Sequence, residues 1–315
     1  MTTRRTLLTA LATLILATPT LAQNYTQPTT PDGQPDISGI WTSFDTTPFE
    51  VETPEVLADL KALAYWFPGV DGGEGGPGVG PSGDFSQAEP HATQNQRRRS
   101  MVVDPPTGQV PILDSARAVR DDNLNRLADH WVHNTPWERC ITRGVPGNMF
   151  PTYNTGHLIL QIPGYVIISS EMIHVSRIIP IDDTPRPPGA IRQWNGNSRG
   201  HWEGDTLVVE TVGYNTKGTV GTNVATRRIR GIPQSEEMKV IERFIRVDED
   251  NMTYQVTVED PNAFEHAWTV ELPMNYSPDY RILEYTCHEG NYGLENTLRG
   301  GRAEDKAGGN SDATR

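Results

Sequence analysis

The chain has 315 residues, of which 36% are hydrophobic and 21% charged, enough for one large domain or two small ones and for a sizeable core. Its 29 glycines and 25 prolines suit many short strands joined by turns and argue against a helical bundle, a coiled coil or an all-helical solenoid. A net charge of −13 speaks against a broadly basic nucleic-acid-binding surface, and two cysteines are too few for a disulfide-rich scaffold or a four-thiolate zinc site.

Residues 1–22 read as an export leader. Arg4 and Arg5 precede an apolar run that reaches Ala17, and Thr20-Leu21-Ala22 places small residues at positions −3 and −1 of a signal-peptidase site. Thr3-Arg4-Arg5-x-Leu7-Leu8 resembles the twin-arginine export motif; an ordinary Sec leader with two basic residues is the alternative. The apolar run falls short of the ~20 residues a span needs, so no membrane span is expected. The destination is the periplasm or the exterior, where thiols oxidise. Cys140 and Cys287, the only pair, are therefore expected to form a disulfide, with a nucleophilic or metal-binding thiol as the alternative.

Residues 23–36 are polar and proline-rich and read as a flexible arm. Ile37-Ser38-Gly39-Ile40-Trp41 is the first expected strand. A helix should start at Thr53 as N-cap with Pro54 in its first turn and Leu57, Leu60, Leu63 and Ala64 as its apolar stripe. Residues 69–84 form a glycine-rich loop, and Arg97-Arg98-Arg99 precedes a short apolar run. A second helix is expected over 115–132, capped by Ser115, with Leu124, Leu127 and Trp131 along one side. Together, residues 45–135 read as an insertion that decorates or covers a β domain.

From residue 157 the pattern changes to strands with turns between them: 157–162, 165–179, 190–194, 200–203, 206–211, 239–247, 252–260, 268–274 and 281–287. Glu203-Gly204-Asp205 and 248–251 mark tight hairpins. In the strand from Lys239, Val240, Glu242, Phe244 and Arg246 share one face and Ile241, Arg243, Ile245 and Val247 the other. There is no βαβ rhythm. The expected fold is therefore mainly β: one antiparallel barrel over residues 37–300, with a β-sandwich as the alternative, and a disordered tail over 301–315.

The strings Glu138-Arg139-Cys140-Ile141-Thr142-Arg143, Ser198-Arg199-Gly200-His201-Trp202-Glu203-Gly204-Asp205 and Cys287-His288-Glu289-Gly290-Asn291-Tyr292 resemble a large family of secreted bacterial β-rich proteins. The resemblance covers most of residues 35–305 and implies an exported β-rich protein, with no particular activity attached. Gly39-x-Trp41 is similar to the opening of lipocalin-like (calycin) barrels. That likeness implies a Trp41 that caps the barrel floor beneath a late arginine, for which Arg281, Arg299 and Arg302 are the candidates.

Two familiar motifs fail on context. Gly78-x-Gly80-x-x-Gly83 follows no strand and contains Pro81, so it is no dinucleotide loop. Gly196-x-Ser198-x-Gly200 leads into a hairpin rather than a helix, so it is no nucleophile elbow. The chemistry-bearing residues lie elsewhere. Glu171 and Arg177 would share one face of an apolar strand, with His174 on the other, either facing a ligand or satisfied within the structure. Cys287-His288-Glu289-Gly-Asn291-Tyr292 is the densest polar cluster. His288 would act as general base and Tyr292 as acid or orienter, with Glu289, Glu171 or Glu242 as the supporting carboxylate. A Cys140–Cys287 bond would bring Arg139 and Arg143 beside His288, where two arginines suit a carboxylate or enolate-like intermediate. Trp202 and Glu242 complete the expected binding residues. The alternative for all of these is salt bridging and chain anchoring. No cofactor is implied, since none of the eight histidines has metal-ligand spacing; a metal would need His174, His201 and His288 gathered from separate strands. Two functions follow. One is a cofactor-free lyase, dehydratase or isomerase acting on a small organic acid, phenol or sugar-like metabolite. The other is a lipocalin-like binding protein for an apolar small molecule.

Overall fold

The structure, a computed structural model, describes residues 25–43, 47–51, 53–54, 98–150, 154–222 and 224–308. The expected leader, the glycine-rich loop, the body of the helix expected from Thr53 and the end of the expected tail lie outside the described residues. The ten strands are β1 (Gly39–Thr42), β2 (Val102–Asp104), β3 (Gly156–Ile162), β4 (Tyr165–Ser170), β5 (Ser176–Pro180), β6 (Asn197–Glu203), β7 (Thr206–Val212), β8 (Lys239–Arg246), β9 (Asn251–Glu259) and β10 (Trp268–Tyr276). Among the described residues two whole α-helices accompany them, α1 (Asp114–Asn125) and α2 (Gly293–Lys306). The strand order β5-β4-β3-β1-β10-β9-β8-β7-β6 makes an antiparallel, nearly closed nine-strand barrel, with β2 paired to β10 off that path. The expected barrel therefore forms. No helix among the described residues is long and apolar enough to cross a membrane.

Alternation builds the wall. Val240, Glu242 and Phe244 of β8 and Met252, Tyr254, Val256 and Val258 of β9 point inward and are buried. Each large apolar side chain so buried contributes roughly 1.5–3 kcal/mol. Aromatic rings close the mouth: Phe49 packs edge-on against Phe150 and Trp268, with centroids 5.1 and 6.3 Å apart, and Phe264 sits 5.3 Å from Trp268.

The floor explains the Gly-x-Trp motif. Trp41 is fully buried and its indole N–H donates to the Ile37 carbonyl at 2.9 Å. Tyr276, its cross-strand partner, packs against it with centroids 5.3 Å apart. Gly39 has φ +130°, and a Cβ there would lie 2.4 Å from the Tyr276 ring, so this close approach requires glycine. The late arginine is Arg246, whose guanidinium lies 5.4 Å from the Trp41 ring centroid, and not Arg281, Arg299 or Arg302. Arg246 ends β8 at the floor, whereas Arg299 and Arg302 belong to α2.

Several local expectations change. The arm is tied down: the Ile37 N–H donates to Gln161 Oε1 at 2.7 Å, the Gln161 amide donates to the Pro35 carbonyl, and Arg246 donates to the Asp36 carbonyl. The strand expected over 165–179 is two strands, because Ile173 and His174 turn the chain with φ 57° and 39°. Residues 190–194 contribute one bridge, Gln193 to Tyr214, and 281–287 form no strand. α1 starts at Asp114 after Leu113, without a side-chain cap, and ends at Asn125. The chain expected to be disordered from 301 is helical as far as Lys306.

Candidate functional site

Polar side chains converge in two places. The first is the barrel bore. Arg177 on β5 reaches across to Glu242 on β8, with Nη1 donating to Oε1 at 2.9 Å and Nη2 to Oε2 at 2.5 Å. The Tyr254 hydroxyl donates to the same carboxylate at 3.0 Å, and Arg177 also donates to Ser198 Oγ at 3.1 Å. Burial works against the Arg177 charge, but Glu242 more than offsets it and holds its pKa above the ordinary arginine value. Burial pushes the Tyr254 and Tyr214 phenols well up, and the Glu242 charge adds to both. Glu242 is wholly buried, so it is withdrawn from the role of substrate binder expected of it. Trp202 is half-buried and packs against the core, again as structure.

His157, the second residue of β3, belongs to no motif that would single it out in the sequence. It is fully buried beside Trp41, with Nδ1 3.1 Å from Ser170 Oγ. Burial, and secondarily the Arg143 charge, hold its pKa down to about 3. Stability from this group is thus fully present above the ordinary histidine value of 6.5. As pH falls below that value the unfolded chain takes up a proton that the folded one refuses, and stability drops by about 1.4 kcal/mol per pH unit. His157→Gln should flatten this slope. Parallel urea-midpoint curves for wild type and variant between about pH 7 and about pH 4 would sink the assignment.

The other expected site residues separate. Arg143 is buried and donates to the Phe150 carbonyl at 3.3 Å, away from His288. Glu171 is buried beyond the end of β4, where it accepts from Asn154 Nδ2 and from the Tyr280 hydroxyl, both at 2.6 Å. His174 is exposed, with Nδ1 3.1 Å from the Tyr285 carbonyl. Glu171 and His174 therefore anchor the segment after β10 and do not face a ligand inside the barrel.

The second convergence lies above the mouth, at the disulfide. Cys140 and Cys287 are at bonding distance, S–S 2.09 Å and Cα–Cα 5.6 Å. The layer around them is pinned by two further pairs, Arg228 with Glu50 at 2.6 Å and Arg230 with Glu138. Three adjoining cavities surround Arg139 and its neighbours. One of about 550 Å³ runs between α1, residues 131–141, Trp194 and 216–219. A second of about 430 Å³ holds Arg139 and His288 together with Glu138 and Leu294. A third of about 560 Å³ is lined by Trp137, Glu138 and Glu289. Arg139 and His288 thus meet as expected. Glu289 turns to the neighbouring cavity, and Tyr292, 66% exposed, lines none of the three.

Arg139 is the organised group here. Its guanidinium lies between two indoles, 5.4 Å from the Trp131 centroid and 5.7 Å from that of Trp194. Nε donates to the Thr135 carbonyl at 3.4 Å, and the terminal nitrogens make no hydrogen bond to another described residue. Burial lowers its pKa from the usual arginine value, Glu138 opposes the shift, and the group remains a cation at neutral pH. His133, on the same cavity, has its pKa lowered from the ordinary histidine value, mainly by burial and then by Arg126, with Nδ1 2.8 Å from Asn123 Oδ1. Trp131 had read as part of a buried helical stripe; it lies beyond the end of α1 and is 49% exposed. Among the described residues no group of three His, Cys, Asp or Glu could hold a metal ion, and His201 pairs with Glu203. No family model, curated protein or solved structure matches the chain.

Proposed function

We propose that this is an exported binding protein of the secreted β-rich family resembled by its sequence, and that it holds a small amphipathic anion in the cleft over the barrel mouth. The observation that carries this reading is Arg139, fixed between Trp131 and Trp194 with its terminal nitrogens unspent. Each cation–π contact contributes about 0.5–2 kcal/mol and holds the fork in place before a ligand arrives. A carboxylate can accept both N–H groups of such a fork. The apolar remainder of the ligand would lie on Val119, Val132, Ile141 and Pro233. A cavity of about 550 Å³ suits a ligand of this size. The bore around Arg177, Glu242 and Tyr254 is instead lined by side chains that are buried and bonded to one another.

A cofactor-free acid–base enzyme is the second reading, favoured by the cavity that His288 shares with Arg139. It asks His288 to be oriented, yet the imidazole makes no hydrogen bond to another described residue. 2-Naphthoate followed by tryptophan fluorescence tests both. Arg139→Gln should weaken binding by roughly 10–100-fold, the loss of a charge-assisted pair. His288→Asn should leave affinity unchanged. Equal affinity of Arg139→Gln and wild type would overturn the site. A carboxylate substrate whose turnover disappears in His288→Asn would establish the enzyme.

A further inference from the structure

The chain carries 40 acidic residues against 27 basic ones, so a cavity wall drawn evenly from it would be acidic. The cleft of about 550 Å³ beside Arg139 is the reverse. Among the described residues no Asp or Glu lines it, whereas Arg120, Arg139 and Lys217 all do. A cleft lined by one sign of charge concentrates the opposite ion within it. Arg120 is already engaged: it donates to Asp121 Oδ1 at 2.8 Å and to the Arg228 carbonyl at 2.6 Å. Arg139 is the fork that receives one anionic group. Lys217 is a second cation on the same wall. Elsewhere Arg192, Lys239 and Arg243 each pair with a carboxylate, but Lys217 makes no ion pair to a described residue.

The residue that holds the Lys217 turn also holds Trp194. Buried Gln234 donates from Nε2 to the Trp194 carbonyl at 3.3 Å and to the Asn215 carbonyl at 2.9 Å. Its backbone N–H donates to the Gly218 carbonyl at 3.2 Å. A Cβ on Gly218 would lie 2.4 Å from Gln234 Cδ, so the turn needs glycine to lie this close. The Lys217 N–H donates to Asn215 Oδ1 at 2.9 Å and tightens the turn. The Lys217 backbone is therefore fixed relative to one of the two indoles that flank Arg139. Its side chain is exposed and brings a compact charge to the cavity on a flexible stem. We propose that Lys217 sets specificity by receiving a second anionic group, so that the cleft selects dianions, an apolar body with a carboxylate at each end, over monoanions. This rests on the reading of the cleft as the binding site and names its ligand class. Arg139 takes one carboxylate, Ile141 and Pro233 face the apolar body, and Lys217 takes the other carboxylate.

Two pairs of probes, benzoate with terephthalate and 2-naphthoate with 2,6-naphthalenedicarboxylate, differ only by the second carboxylate and sample two separations. Tryptophan fluorescence should show tighter binding of a dianion than of its monoanion by about 5–10-fold. Twofold of this comes from two equivalent ends and the rest from one partly exposed ion pair. Added salt should shrink the preference. Lys217→Met should weaken the preferred dianion by about 5-fold and its monoanion by less than about twofold. Lys306→Met removes the same charge from α2, away from the cavities described above, and should keep the preference. If Arg139→Gln binds 2-naphthoate as well as wild type does, the cleft falls and this proposal with it. If Arg139→Gln weakens binding as expected, three results would overturn the role of Lys217 alone. They are dianions no more than twofold tighter in both pairs, a preference that survives Lys217→Met, and one that Lys306→Met removes equally.

Discussion

Glu242→Gln should destabilise the fold by about 3–5 kcal/mol, the usual loss when one partner of a buried ion pair is removed. The substitution keeps the side chain's shape and takes away only its charge. Arg177 would then stay ionised inside the bore, since its guanidinium cannot shed its proton at any ordinary pH. Its remaining side-chain acceptors, the new amide oxygen and Ser198 Oγ, cannot neutralise it. Tyr254 would lose a charged acceptor in the same step. The double replacement Arg177→Met with Glu242→Leu should recover most of the loss, because it removes both desolvated charges and leaves apolar groups in the bore. Urea unfolding of Arg177→Met, Glu242→Leu and their combination closes the cycle. A loss below about 1 kcal/mol for Glu242→Gln would mean that water reaches the pair and that the bore is not dry.

Replacing both cysteines by serine should cost about 4–5 kcal/mol in the chain-entropy account, because the bond spans a sequence separation of 147 residues. The local effect should be larger than the global one. Residues 286–293 are almost all exposed and bury little surface of their own. Without the bond they are held by contacts such as Asn291 Nδ2 to the Glu138 carbonyl at 3.3 Å. Amide exchange should therefore rise first between Tyr285 and Leu294, and the walls of two of the three cavities should go with it. An unchanged urea midpoint together with unchanged exchange in that segment would show that the bond is redundant.

The barrel wall was legible because period-2 alternation and turn residues coincide in β6 to β10, where Val240, Glu242 and Phe244 share one face as expected and the structure turns that face inward. Alternation alone could not see the break at Ile173 and His174. Those residues take positive φ without any glycine to announce it. It also misread 281–287, which joins no sheet. The candidate site was legible only through the two cysteines, which correctly placed Arg139 near His288. Arg143 sits close to Cys140 in sequence, but burial turned it inward. The two tryptophans flanking Arg139 come from segments with no shared pattern, and nothing in the sequence pairs them. Glu242 and Arg177 stand 65 positions apart on strands that are not neighbours, so only barrel closure could introduce them.

The strand order also bears on how the barrel assembles. β3–β4–β5 and β6 to β10 are two meanders in which each strand pairs with the next in sequence. The hairpins of β3–β4–β5, β6–β7 and β8–β9–β10 are local and can form fast, on the microsecond scale for a tight turn, while β7 and β8 are joined by the long segment between Val212 and Lys239. What joins the two meanders is β1, four residues long, lying between β3 and β10. Its side-chain bond from Thr42 to Ser277 closes a stretch of 235 residues. Contacts of that separation carry the largest loop-closure entropy and reward it last. The shortest barrel strand is thus the keystone: two meanders wait on one brief segment from the start of the chain.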